Sequence, residues 1–270
     1  MVPEDRHYGL ALFCAPDLRQ SPRLVTGALQ DLSAIWPDRA AEWQGMLSGT
    51  DRYTRLARVA ETPLDEMAQE LHAGKYSDVL AFVSDGRGDR VTLSVQLAAP
   101  ERTGHTRIQY VQSLQDENSV ALATTAARVL WHRFTPVYGL AVVRASAATV
   151  SSELTGLIVN RPGEQLTPAE EDRLFILQDL RPQLGDVARV PAWDTFLGRR
   201  MVERLGGADR VRRDAPVAHV DAFPGGALHL RLSKTAERWG TPEWVRQNKA
   251  LAEFLAPVLP KELRGFPMSH

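Results

Sequence analysis

Four times along this chain a hydroxyl residue stands directly before a proline at the head of an apolar-periodic run: Ser21-Pro22, Thr62-Pro63, Thr167-Pro168 and Thr241-Pro242. The pattern predicts four helix starts. A hydroxyl oxygen can accept a bond from an orphan N–H of the first turn, and proline fits the first helical position because no N–H is needed there. Such a cap is worth about 0.5–2 kcal/mol, enough to fix a boundary. Thr167 with Glu170 also spells a capping box.

Helical stripes follow these starts. Leu24, Ala28, Leu32 and Ile35 line one face of a first helix, and Leu64, Met67, Ala68 and Leu71 line a second. A longer stripe, Val120, Ala123, Ala127, Leu130 and Phe134, comes after Asp116-Glu117-Asn118. Phe196-Leu197, Met201 and Leu205 read as another helix, ended by Gly206-Gly207, where glycine can take the left-handed conformation that stops a helix. The closing helix carries Trp244, Val245, Leu251 and Leu255. Between the helices, β-forming runs predict strands at Tyr8 to Phe13, Val79 to Val83, Val91 to Leu97, His105 to Val111, Tyr138 to Val143, Val217 to Phe223 and Ala227 to Leu232. Ser84 to Arg90 reads as a wide hairpin loop and Pro224-Gly225-Gly226 as a tight one.

In order, the elements run strand, helix, short helix, hairpin, long helix, and then the series starts again. Tyr8-Gly9-Leu10-Ala11 opens the first series and Tyr138-Gly139-Leu140-Ala141 the second. The expectation is an α+β protein of two similar βααββα halves, residues 1–136 and 137–270, packed as one unit with antiparallel sheets and helices on one face. An acidic helix near residues 167–180 interrupts the second half.

Composition excludes several functions. The 32 Lys+Arg residues against 33 Asp+Glu leave no basic excess for gripping phosphate backbones, so direct nucleic-acid binding is not expected. The single cysteine, Cys14, rules out an internal disulfide or a zinc site with two thiolates, and it reads as a small buried hydrophobe. No apolar stretch has the length of a signal peptide or a membrane span, which points to the cytoplasm.

A search for chemistry finds no Gly-x-Ser-x-Gly elbow, no phosphate-binding loop and no His-Glu-x-x-His helix. Gly74-Lys75 is followed by Tyr76, not by a magnesium-binding hydroxyl, and Gly86 and Gly88 lie between two strands. Only His219 and His229 can approach each other, across the second hairpin, with Asp221 on the strand parity of His219. Such a His/Asp/His group would suit metal binding or acid–base work. The competing reading is a solvated rim, since Arg231 continues the parity of His229 while Leu228, Leu230 and Leu232 supply a core face. No catalytic residue, metal or cofactor is assigned.

A second candidate is acidic. Glu164, Glu170, Glu171, Asp172 and Asp179 gather in the capped segment and could meet a basic partner, although carboxylates at a helix start are also explained by the helix dipole. Asp65, Glu66 and Glu70 offer a rival acidic face, and His132 beside Trp131 reads as a surface or boundary residue. The six tryptophans read as packing anchors or contact residues, most of them in the core.

The segment Trp193-Asp194-Thr195-Phe196-Leu197-Gly198, continuing through Met201-Val202-Glu203-Arg204-Leu205-Gly206-Gly207, resembles the type VI secretion immunity proteins and related immunity families of polymorphic toxins. Phe223-Pro224-Gly225-Gly226, the closing helix from Pro242 to Pro257, and the N-terminal strand, helix and Trp36/Trp43 segment fit the same resemblance. Lys234 to Gly240 departs from it, where the family commonly places a glycine-proline segment after its hairpin, and similar wording, Pro182-Gln183-Leu184-Gly185-Asp186, stands before the Trp193 segment. The resemblance implies a cytoplasmic protein without catalytic residues that binds a cognate secreted antibacterial toxin, in several relatives a nuclease, and covers its active site or substrate groove. A metal- or acid/base-dependent enzyme using the hairpin histidines, and a structural component of a secretion apparatus, are the alternatives.

Overall fold

A computed structural model describes residues 6–14, 17–36, 39–84, 90–98, 105–144, 150, 154, 192–234 and 242–260. Its strands are β1 (Arg6–Cys14), β2 (Ala40–Leu47), β3 (Ala57–Arg58), β4 (Tyr76–Ser84), β5 (Arg90–Gln96), β6 (Thr106–Leu114), β7 (Tyr138–Arg144), β8 (Asp194–Leu197), β9 (His219–Phe223) and β10 (Ala227–Arg231). The helices are α1 (Pro22–Ile35), α2 (Leu64–His72), α3 (Glu117–Phe134), α4 (Arg199–Arg204), α5 (Ala208–Asp214) and α6 (Pro242–Leu255). All ten described strands form one sheet in the order β3-β2-β4-β5-β6-β1-β7-β8-β10-β9, and each pairing among them is antiparallel. The fold is therefore α+β, with the sheet continuous across the boundary between residues 136 and 137.

That boundary falls at the β1–β7 pairing, where the two Tyr-Gly-Leu-Ala segments lie side by side: Leu10 pairs with Ala141 and Ala11 with Leu140. Directly paired residues share a face and successive residues alternate, so this register sends Tyr8 and Tyr138 to opposite faces. Tyr8 meets Tyr110 and Trp193 edge-on, while Tyr138 stacks on Phe13. A two-fold axis normal to the sheet would keep equivalent residues on one face, so these tetrapeptides are not equivalents of that kind.

Helix starts follow backbone and proline chemistry more than hydroxyl capping. Pro22 and Pro242 each open a helix, as expected, but the Ser21 side chain makes no cap bond. Thr62 is used elsewhere: it accepts from the Trp43 indole at 2.7 Å and donates to the Arg58 carbonyl, so α2 begins after Pro63. The longest described helix, α3, has the full box instead, with Asp116 accepting from the Ser119 N–H at 2.7 Å and the Ser119 hydroxyl answering the Asp116 N–H. Thr167-Pro168 and the acidic helix near 167–180 lie outside the described residues.

Three strands were not legible as such. β2 and the short β3 lie where no element was expected, and β8 takes Phe196 and Leu197, which read as the start of a helix. The helix begins only at Arg199, because Gly198 lets the chain pass against Val137: a Cβ at Gly198 would stand 2.4 Å from the Val137 carbonyl oxygen. Helix α3 packs against α1 and over β6 and β1. Its buried residues Ala123, Ala126, Ala127, Leu130, Trp131 and Phe134 face the sheet side that also carries Tyr8, Asp194, Phe196 and His229.

Candidate functional site

Two neighbouring features lie under the C-terminal half of α3. The first is polar and spans β8, β10 and β9. His229 pairs directly with Phe196 on one side and Asp221 on the other, and Arg231 pairs with Asp194 and His219, so all six side chains share a face. The structure thus brings together His219, Asp221 and His229, as strand parity predicted. His219 Nε2 lies 2.9 Å from Asp221 Oδ1, and Asp221 Oδ2 lies 3.7 Å from His229 Nδ1.

The centre of this cluster is a residue that parity did not find. Asp194, 1% exposed, accepts from His229 Nε2 at 2.8 Å and from the Arg231 guanidinium at 2.8 and 3.0 Å. Arg231 also reaches Thr124 of α3 at 3.4 Å and lies over the Trp193 ring, 4.7 Å from its centroid. Burial by itself raises the Asp194 carboxyl, but the bonds from His229 and Arg231 outweigh it and hold the group below its ordinary range. Asp221 is likewise pushed up by burial and drawn down further by His219 and the nearby charges of Arg128 and His229. Burial, then the Asp194 charge, push the Tyr8 hydroxyl well above its usual value.

The rim reading of this face holds for His219, which is exposed, and is corrected by α3 for His229 and Arg231. His229 is 3% exposed and Arg231 is half-buried, because the helix lies across them, while Leu228 and Leu230 are buried on the opposite face. The signal was present in Trp193 to Leu197. Read as a strand, that run puts Asp194 and Phe196 on one face, beside the positions now seen opposite Arg231 and His229. Among the described residues no group of three or more His, Cys, Asp or Glu is placed to hold a metal ion.

An aromatic wall links the cluster to the second feature. Phe196 stacks on the His229 ring at 4.6 Å and on Trp131 at 5.0 Å, and Phe223 packs against Trp131 at 5.5 Å and His132 at 4.9 Å. On the far side of that wall lies a groove of about 500 Å³ between the end of α3, the start of α4 and the β9–β10 turn. Trp131, Pro136, Val137, Met201, Pro224 and Ala227 give it an apolar lining; His132, Arg199 and Arg200 stand at its rim, and its lining contains no carboxylate. Val137 is 38% exposed there, one of few large apolar side chains so exposed among the described residues. Thr135 takes a left-handed conformation, φ 41°, to turn the chain from α3 into β7. Sequence reading missed this groove because its lining comes from three separated stretches.

Glu164, Glu170, Glu171, Asp172 and Asp179 lie outside the described residues, as does Trp239. On the rival acidic face Asp65 and Glu66 are exposed, while Glu70 is engaged by Lys75 and by the Tyr76 hydroxyl at 2.7 Å, which draw its carboxyl down. The other five tryptophans are buried, and so is Cys14, whose thiol burial pushes up. No described helix is long and apolar enough to cross a membrane.

This geometry defines an α+β protein built on one broad antiparallel sheet, with a braced polar cluster beside an apolar, cation-rimmed groove. No family model matches the chain, and no curated protein does. Among solved structures, the T6SS protein PA0821 of Pseudomonas aeruginosa is similar in fold, with a TM-score of 0.56 at 15% identity over 94% of this chain and 73% of that one.

Proposed function

We propose that this protein binds and neutralises a cognate secreted antibacterial toxin in the cytoplasm, covering the toxin's active site or substrate groove, and that it acts without catalysis of its own. The observation that carries this reading is the groove beside α3, whose apolar lining and charged rim have the anatomy of a protein-binding surface. The likeness in fold to a T6SS protein and the resemblance of the Trp193 to Gly207 segment support the setting. The partner belongs to the toxins of that setting, a nuclease being the form the resemblance implies. The five carboxylates Glu164, Glu170, Glu171, Asp172 and Asp179 are a second proposed contact region, toward basic partner surface.

The test is direct. The product of a neighbouring toxin-type gene should bind the chain one-to-one, and expression of the chain should rescue cells from it; absence of both binding and rescue overturns the reading.

The hairpin cluster supports a second reading, acid–base chemistry through His219, Asp221 and His229, because their spacing forms a chain from the surface to Asp194. Against it, the His229 ring is enclosed by Phe196 and Phe223, which suits a brace better than a reacting group. Alanine at His219 would leave toxin binding intact under the first reading and abolish an activity under the second.

A further inference from the structure

We infer that the groove beside α3 takes an acidic segment of the partner protein, with an apolar side chain seated against Trp131, Val137 and Met201 and carboxylates facing Arg200 and His132. This rests on the toxin-binding reading above and names the chemistry of the partner at that site. The groove and such a segment are complementary in charge. Every charged or ionisable side chain of the lining is basic or histidine, and none is acidic. Arg199 is partly neutralised by Glu203 at 2.7 Å, but among the described residues Arg200 makes no ion pair, although it is exposed at the start of α4. A rim cation left unpaired next to apolar surface attracts an anionic group and disfavours a basic one.

The occupant is a protein segment because of what the groove lacks. Small polar ligands are held by buried, convergent polar groups. Here the polar side chains of the lining, His132, Thr135, Arg199 and Arg200, are all exposed, whereas its buried side chains, Trp131, Pro136, Met201 and Ala227, are apolar. The Trp131 indole is fixed from behind by Phe196 and Phe223, so the lining is pre-formed and needs no ordering on binding.

The experiment uses the intact chain and the product of the neighbouring toxin-type gene, rendered inactive. Binding is measured for the native chain, Arg200→Glu, Arg200→Lys and Val137→Asp, with thermal unfolding of each as the folding control. A photo-crosslinker at Val137 then identifies the partner segment. Arg200→Glu and Val137→Asp should each weaken binding by about tenfold or more, Arg200→Lys should stay near the native value, and the crosslinked peptide should be acidic. Tight binding by the native chain that Arg200→Glu and Val137→Asp leave unchanged overturns the groove and spares the toxin-binding reading; so does a basic crosslinked peptide. No binding by the native chain overturns the reading itself. Self-association of the chain that Arg200→Glu abolishes would make a second copy the occupant and would also overturn the inference.

Discussion

Along β6, from Thr106 to Leu114, buried and half-buried residues alternate without a break, whereas β10 buries both parities from Ala227 to Leu230. The same contrast divides the sheet. Strands β2, β5 and β6 put one parity on the helices and leave the other half-exposed, while β1, β7, β8 and β10 are buried on both faces over most of their length. In the first region a polar residue on the outer face can be satisfied by water. In the second it must find a partner inside the protein on either face, whereas on the helix-covered face this holds in both regions: Asp194, His229 and Arg231 are bonded to one another, and Gln112 of β6 to Tyr110 and Ser119. Cover by a helix turns polar residues into a network.

The sharpest way to break this comparison is Asp194→Ala. Removing one member of a buried ionic group leaves the others uncompensated, at a cost of about 3–5 kcal/mol. The melting temperature should fall by roughly 10 °C. The same operation on an exposed pair, Glu70→Ala on α2 beside Lys75, should cost no more than about 1 kcal/mol. A double change, Asp194→Leu with Arg231→Met, should recover part of the loss, because apolar residues of similar volume often replace a buried ion pair without penalty. Equal losses at Asp194 and Glu70 would show that burial of the Asp194 group does not raise the cost of breaking it.

Gly9→Ala tests packing in place of charge. A Cβ there would stand 1.9 Å from Val150 Cγ1 and 2.9 Å from Leu154, on the face of β1 away from α3. Overpacking of this kind costs about 1–3 kcal/mol. That loss is net of the benefit alanine brings by restricting the unfolded chain. Chemical denaturation with an unchanged m-value would measure it cleanly.

Acid titration gives a smaller effect with a definite sign. Asp194 and Asp221 have folded pKa values below their ordinary range, so the stability they contribute is complete above that range and is lost as pH falls through the lower folded values. Thermal stability should therefore be flat down to about pH 5 and decline below about pH 4. Asp221→Asn should make that decline shallower. An identical acid limb in the variant would remove Asp221 from the account.

How far the sequence could be read does not follow this division of the sheet. β-Forming runs at Val91 to Leu97 and His105 to Val111 located β5 and β6 within a few residues, and those at Tyr8 to Phe13, Tyr138 to Val143 and Ala227 to Leu232 located β1, β7 and β10, whereas β2, whose burial alternates, was missed. The parity of the second hairpin was also legible, and it placed His219, Asp221 and His229 together. What parity could not show is what lies on each face. Leu228, Leu230 and Leu232 read as the core side, so the other side read as rim, although α3 covers it through Trp131 and Thr124. β8 was hidden for the same reason: Asp194 to Leu197 is a continuous buried run of four residues, and periodicity does not separate such a run from the start of a helix. The α+β class was readable from element order, whereas the sheet's continuity through β1 and β7 depends on long-range pairing that local patterns do not encode.

Ser94→Thr offers the finest comparison with Gly9→Ala, since each adds one carbon to the middle of a strand. Ser94 lies on the half-exposed parity of β5, opposite Leu80 on β4 and Gln109 on β6. The added methyl meets a surface that water already reaches, and a β-branched residue suits a strand. Stability should change by no more than about 0.5 kcal/mol in either direction. One carbon would then be tolerated where the sheet is covered on one face and costly where it is covered on both; a loss at Ser94 as large as that at Gly9 would mean that the outer face of β5 is covered as tightly as that of β1.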